Sequence, residues 1–210
     1  MGIVKSRCVI IGGGDCSSEF LKNNIQSGDC VICADSGYDY ALKAGIAPDV
    51  LIGDFDSVKS VPVCSDKITL PVEKDITDSE AAFLEGIKRE FKSFLLLGGT
   101  GGRFEHTFAN ISIMAKAVKC GFDFIIADER HIFRCIHNSS LKIPYSPNVQ
   151  ISVFAFGGKA LGVTEKGFHY PLSEYTLDPF EPLGISNDVT AEYGEISVED
   201  GTLIIIETKM

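Results

Sequence analysis

Asp54 and Asp56 stand one residue apart where the apolar run in Pro48-Asp-Val-Leu-Ile-Gly-Asp-Phe-Asp-Ser57 comes to its end. On an extended chain residues i and i+2 point to the same side. The spacing therefore predicts two carboxylates facing one hard cation just where a strand leaves its sheet. Magnesium suits such a pair, because it is held by one or two carboxylates and fills its octahedron with water and substrate phosphates. The competing explanation is structural: aspartates also terminate strands and cap turns.

Four further loops carry residues of matching chemistry. Ile11-Gly-Gly-Gly-Asp15 lacks side chains that would keep a ligand from the backbone, although a tight turn explains it equally well. Ala34-Asp-Ser-Gly37 offers Asp35 as an acceptor for a ribose or base, with Gly37 leaving room beside it; a helix N-cap at Asp35 or Ser36 is the alternative. Glu73-Lys-Asp-Ile-Thr-Asp78 supplies Lys74 as a point charge for phosphate and Asp75 and Asp78 as additional carboxylates. The same segment contains Thr77-Asp-Ser-Glu80, which has the form of a capping box. Leu97-Gly-Gly-Thr-Gly-Gly-Arg-Phe-Glu-His106 presents backbone N–H groups at the start of a helix, and Arg103 adds a bidentate anion donor. Arg103, His106 and Asn110 share a helical face beside an apolar stripe of Phe104, Phe108, Ile111, Ala115 and Val118. Clustered acids for magnesium, joined to glycine-rich and basic loops for phosphates, describe phosphoryl-group chemistry on a nucleotide. No Ser, Cys or His sits in a nucleophile motif.

The elements that must position these loops are legible from hydrophobic patterning. Apolar runs at Cys8 to Ile11, Cys30 to Ala34, Val50 to Gly53, Phe94 to Leu97 and Phe122 to Ala127 predict buried strands, with helical stretches between several of them. A helix after Thr77 is marked by Phe83, Leu84, Ile87 and Phe91. This alternation predicts a parallel-sheet, Rossmann-like α/β domain over residues 1–128. From 129 to 210 there is no helical pattern. Val149-Gln-Ile-Ser-Val-Phe-Ala-Phe156 and Glu195 to Ile206 alternate like a meander, with Glu199-Asp200-Gly201 reading as a hairpin turn, so the second domain is expected to be an all-β sandwich.

Composition narrows the partners. The chain has 210 residues, 45% of them hydrophobic, and 19 Lys and Arg against 29 Asp and Glu, a formal net charge of −10. That balance argues against a broad nucleic-acid interface, which rests on clustered positive charge. No apolar run reaches membrane-spanning length, and the first residues lead into a strand without the pattern of a signal peptide. The 7 cysteines are an odd number, most of them inside apolar runs, as reduced core residues are. Cys30-Val-Ile-Cys33 spells a C-x-x-C, but in a strand its two thiols face opposite sides. A cytoplasmic location is expected.

In their order, Ala34-Asp-Ser-Gly37, Pro48 to Ser57, Lys74-Asp-Ile-Thr-Asp78 and Gly98-Gly-Thr-Gly-Gly-Arg-Phe-Glu-His-Thr-Phe-Ala-Asn110 resemble the motifs of the thiamine pyrophosphokinase family. Gly167-Phe-His-Tyr-Pro-Leu172 and Gly184-Ile-Ser-Asn187 resemble that family's thiamine-side segments, so the likeness covers nearly the whole chain. It implies transfer of the terminal diphosphate of ATP to the hydroxyethyl oxygen of thiamine, and a homodimer whose site is shared between subunits. By matching position Asp54, Asp56 and Asp78 would hold magnesium, with Asp75 assisting. Lys74, Gly99, Thr100, Gly102, Arg103, His106 and Asn110 would line the ATP, with Asp35 and Gly37 nearby. Tyr170 would stack on a thiamine ring, and Ser186 and Asn187 would contact thiamine. The family commonly has Asp where this chain has Glu105, so no role is carried over there. A nucleotide-binding regulatory module without turnover, and a magnesium-dependent hydrolase of nucleoside diphosphate compounds, are the other two readings; the surplus of carboxylates speaks against the first.

Overall fold

A computed structural model describes residues 7–56, 58, 64–71, 73 and 75–210. The element order is β1 (Arg7–Ile11), α1 (Ser18–Asn24), β2 (Asp29–Ala34), α2 (Gly37–Ala44), β3 (Val50–Gly53), β4 (Lys67–Thr69), α3 (Asp78–Lys88), β5 (Ser93–Leu97), α4 (Phe104–Lys119) and β6 (Asp123–Ala127). Strands alone follow: β7 (His131–His137), β8 (Ser140–Pro144), β9 (Val149–Ala155), β10 (Ala160–Lys166), β11 (Leu172–Leu177), β12 (Gly184–Asn187), β13 (Tyr193–Ser197) and β14 (Thr202–Lys209). The chain forms two compact units, Met1–Ile113 with Phe122–Glu129, and Met114–Gly121 with Arg130–Met210.

In the first unit the strands lie in the order β4-β3-β2-β1-β5-β6, all parallel. Val9, Ile10, Ile11, Ile32 and Leu97 are fully buried, which is why these strands read as continuous apolar runs. β1 has β2 on one side and β5 on the other, so the order reverses there and opens a crevice beyond the strand ends. The Thr77 cap forms as expected, its hydroxyl accepting from the Glu80 N–H at 3.2 Å. The helical stripe after it is narrower than its spacing suggests. Phe83 is buried against Phe94, Phe122 and Phe124, whereas Leu84 is exposed and Phe91 lies beyond the end of α3. α4 departs further. Phe104 and Phe108 are 77% and 56% exposed, and continuous apolar burial begins only near Ile113 and Met114. Periodicity shows which residues share a helix face, not whether anything covers it.

The second unit is a sandwich of two antiparallel sheets. One has the strand order β12-β9-β14-β7 and the other β11-β10-β13-β8. Ile136, Ile151, Val153, Leu203 and Ile205 from one sheet meet Ile143, Val163, Leu177 and Ile196 from the other, with Phe168 among them. The hairpin expected at Glu199-Asp200-Gly201 is not one. β13 pairs with β8 and β10 while β14 pairs with β7 and β9, so the turn carries the chain from one sheet to the other. Alternating apolar residues suit a strand on either sheet, and only pairing tells the two apart.

All seven cysteines are free thiols. Cys30 and Cys33 are buried in β2, and burial pushes the Cys33 thiol up, as expected of core packing. Among the described residues no helix is long and apolar enough to cross a membrane.

Candidate active site

The acidic part of the site is built where β2 and β3 end. Asp35 follows β2 in the left-handed region, φ +46°, its N–H donating to the Ile52 carbonyl at 2.8 Å. Gly53 closes β3 against it: a Cβ at Gly53 would lie 3.0 Å from the Asp35 Cα, so only glycine lets the two strand ends approach this closely. Beyond Gly53 the chain does not stay pleated. Phe55 is left-handed at φ +63°, and the Asp56 N–H donates to Asp54 Oδ1 at 3.2 Å. The carboxylates of Asp54 and Asp56 therefore converge through a turn about Phe55 and not through the strand pleat that their spacing predicts. Lys67 holds that turn from outside, its ammonium 4.3 Å from the Phe55 ring centre.

Carboxylate oxygens of Asp35, Asp54 and Asp56 lie within 4.8 Å of one another. Asp35 Oδ1 is buried with no hydrogen-bond partner. Burial pushes the Asp35 carboxyl up from its ordinary value; the Ser36 backbone N–H opposes this, and the charges of Asp78, Asp54 and Asp56 add to it. An orphaned buried oxygen within a set of hard oxygen donors fits a divalent cation such as magnesium.

The glycine-loop side is built at the strand-order reversal. The Gly12 N–H donates to the Leu97 carbonyl and the Gly14 N–H to the Gly98 carbonyl, both at 2.8 Å, tying the loop after β1 to the loop after β5. Asn110, buried on α4, donates from Nδ2 to the Gly99 carbonyl at 2.7 Å. The Thr100 hydroxyl donates to Asp128 at 2.7 Å. These bonds fix the glycine loop at the mouth of α4, where its N–H groups suit an anion. Exposed Arg103 donates from Nε to Glu105 at 2.7 Å. The Glu105 carboxyl is held below its usual range by its own backbone N–H and by Arg103. The longer acid at this position thus pairs with the arginine two residues before it.

The result is a cavity of about 600 Å³, in the size range of ligand pockets. Of the residues expected from sequence, Asp35, Asp54, Asp78, Gly99, Thr100, Gly102, Arg103, His106 and Asn110 line it, and Asp56 joins through the carboxylate cluster. Asp75 is exposed and does not line it, and Lys74 and Ser57 lie outside the described residues. Gly37 is not on the wall either. A Cβ there would meet the Ile11 carbonyl oxygen at 2.0 Å, so the glycine makes room for β1 and not for a ligand. Gly13, Gly14, Asp15 and Ser36 also line the cavity, and Asp35 belongs with the carboxylates. The glycine run of the first loop was the sequence signal for Gly13, Gly14 and Asp15, Ser36 read as a helix cap in the second loop, and the left-handed turn that aims Asp35 leaves no mark in the sequence.

Tyr170, Ser186 and Asn187 belong to the second unit. Tyr170 is 66% exposed, and Ser186 is left-handed at φ +59°, its N–H donating to the Ser152 hydroxyl at 3.1 Å. Asn187 is buried. Its Oδ1 accepts from the N–H groups of Tyr170 and Asp188, both at 3.0 Å, and its Nδ2 donates to the Tyr170 carbonyl at 2.8 Å and to Glu165 at 3.0 Å.

Comparison with known proteins gives concordant results. A family model described as thiamin pyrophosphokinase, catalytic domain, matches residues 21–126. A second, thiamin pyrophosphokinase, vitamin B1 binding domain, matches residues 138–203. Thiamine pyrophosphokinase of Bacillus subtilis (strain 168) is 29% identical over 187 residues, covering 84% of this chain and 86% of that protein. Thiamin pyrophosphokinase 1 of Caenorhabditis elegans is 23% identical over 170 residues, covering 76% and 70%. The crystal structure of the Bacillus subtilis enzyme superposes with a TM-score of 0.88 at 25% identity, covering 98% of this chain and 100% of that one. The yeast enzyme shares the fold, with a TM-score of 0.74 at 15% identity over 97% of this chain and 86% of its own.

Proposed function

The chain belongs to the thiamine pyrophosphokinase family and is an ATP-dependent diphosphotransferase acting on thiamine; we propose that the cavity of the first unit is where ATP is held for that transfer. The observation that carries this reading is a carboxylate cluster, two of whose members line the cavity, together with an anion-binding glycine loop lining the same cavity. In the reaction the thiamine hydroxyethyl oxygen bonds to the β-phosphorus as the bond from that phosphorus to the bridging α–β oxygen breaks. AMP leaves with the bridging oxygen, and the hydroxyl proton ends in the buffer.

Asp35, Asp54 and Asp56 would hold magnesium, with Asp78 lining the same cavity, and the bound cation would supply charge neutralisation on phosphate oxygens. The chain's own contribution is positioning. N–H groups of the loop after β5 receive phosphate oxygens, and Asn110 and Thr100 keep that loop in shape. Arg103, released from Glu105, reaches the transferring group. Little covalent work falls to the protein in such a transfer. Residues 1–128 then form the catalytic domain and 129–210 the thiamine-binding domain, where the exposed Tyr170 ring offers a face to the cationic thiazolium. A homodimer with a shared site accords with the exposure of Phe104 and Phe108 at the start of α4. Seven free thiols accord with the cytoplasm.

Chromatography of a reaction containing ATP, magnesium and thiamine tests the assignment. AMP and thiamine diphosphate are expected one for one. ADP with thiamine monophosphate would mean a simple kinase, and nucleotide breakdown without thiamine would mean a hydrolase.

A further inference from the structure

Glu165 is a carboxyl in the core of the sandwich that no step above uses. It lies on β10, 2% exposed, opposite fully buried Ile196 on β13 and Leu172 on β11. Its Oε2 accepts from Asn187 Nδ2 at 3.0 Å, and its Oε1 is buried with no hydrogen-bond partner. A half-satisfied acid in an apolar core is costly, because the polar group gives up water and regains only part of its bonding. What that cost secures is the orientation of one amide. Asn187 has two N–H donors and two acceptor lone pairs, and all four are engaged within the chain. Glu165 and the Tyr170 carbonyl take the donors, while the Tyr170 and Asp188 N–H groups take the carbonyl. Without the acceptor at Glu165 one Nδ2 N–H of the amide is left buried and unpaired while its three other bonds remain, so the clamp on the Tyr170 N–H and C=O is weakened. The clamp is local and tight: the His169 N–H donates to the Asp188 carbonyl at 2.9 Å and the Thr190 N–H to the Gly167 carbonyl at 2.8 Å, lacing the two segments together. The Tyr170 side chain is left outside, 66% exposed, with the exposed His169 ring centred 4.5 Å from its own.

We propose that Glu165 is a positioning residue for thiamine, which by holding the Asn187 amide fixes the backbone of Tyr170 and so the aromatic face offered to the substrate. The proposal rests on the thiamine-side role of Tyr170 given above. Asn187 then serves thiamine through Tyr170, having no donor or acceptor left to give a ligand.

The test is a double-mutant cycle read in steady-state kinetics. Glu165→Leu is expected to raise KM for thiamine about tenfold, the order of one lost buried hydrogen bond. KM for ATP and kcat should stay within about twofold, since the catalytic carboxylates are untouched. Glu165→Gln keeps an oxygen acceptor for Asn187 and should restore KM to within about twofold of the parent. In a Tyr170→Ala background Glu165→Leu should change KM for thiamine by less than about twofold, because the residue it acts through is gone. An equal effect in both backgrounds, a fall in kcat with KM unchanged, or failure of Glu165→Gln to rescue would overturn the proposal. Loss of the melting transition with both Glu165→Leu and Glu165→Ala would make Glu165 a folding residue and overturn it as well. Absence of thiamine-dependent AMP formation in the parent protein would instead refute the functional reading on which it stands.

Discussion

Asp35→Asn separates the cost of the carboxylate cluster from its use. Three carboxylates with oxygens within 4.8 Å repel one another wherever no cation lies among them. At that distance one pair of charges is worth about 0.9 kcal/mol at the dielectric of water and about 3.5 kcal/mol at an effective value of 20. Asp56 is exposed and the other two are half-buried, so screening keeps the sum near the lower figure, about 2 kcal/mol for the two pairs Asp35 makes. The asparagine keeps the volume, tolerates the left-handed backbone, and retains an oxygen for the Ser36 N–H. In chelator at pH 8, the variant is therefore expected to melt about 4–8 °C above the parent, at about 2–4 °C per kcal/mol for a chain of this size. Magnesium should reverse the order. At a hundredfold excess over its dissociation constant it adds about 2.7 kcal/mol to the parent, about 5–10 °C, and far less to the variant at the same concentration. Differential scanning fluorimetry with EDTA and with a magnesium titration measures both. An apo variant that melts lower than the parent, with an undiminished magnesium shift, would refute the reasoning.

Two other perturbations reach different levels of the structure. Gly37→Ala places a Cβ 2.0 Å from the Ile11 carbonyl oxygen, and the overpacking should lower Tm by about 2–12 °C in a thermal melt; an unchanged or raised Tm would disprove the close approach. If the site is shared across a dimer, Asp56→Ala is nearly inactive through the chemical step and Tyr170→Ala is crippled at subsaturating thiamine through a raised KM, and co-refolded mixtures regain up to about a quarter of parental activity at that thiamine concentration under random pairing. No recovery in demonstrably mixed dimers would place the site within one chain.

Much of the fold was legible because burial on both faces of a parallel sheet leaves an unambiguous mark. β3 runs from Val50 to Gly53 as its apolar stretch does, and β1, β2, β5 and β6 differ from theirs by a residue at one end. Thr77 was legible because capping is local chemistry, decided by a hydroxyl and the N–H three residues on. What depended on the partner across space was not. The Glu199 to Gly201 turn reads as a hairpin whether or not the strands beside it pair, and Phe104 and Phe108 form a stripe whether or not anything covers it. The short β4 gave no signal, with two of its three residues exposed. In the site, residue types were readable while directions were not. Asp35 reads as a nucleotide contact until its left-handed φ aims it at Asp54, and Gly37 reads as ligand space until β1 is seen to fill it.

The bonds from Gly12 to Leu97 and from Gly14 to Gly98 bear on the order in which the chain folds. They join loops that meet only when β1 pairs with β5, Cys8 lying opposite Phe94 across most of the first unit's sequence. Pairings this distant pay their loop-closure entropy before any contact rewards it, and so form late. β1 can associate with β2 early, as an incomplete sheet without a cavity. The complete cavity, with residues from both sides of the join, comes into being only when β1 pairs with β5. A nascent or truncated chain that ends before Leu97 thus keeps the carboxylates but lacks the glycine loop after β5, and a ligand that needs both sides of the cavity stabilises only molecules in which the central join has closed.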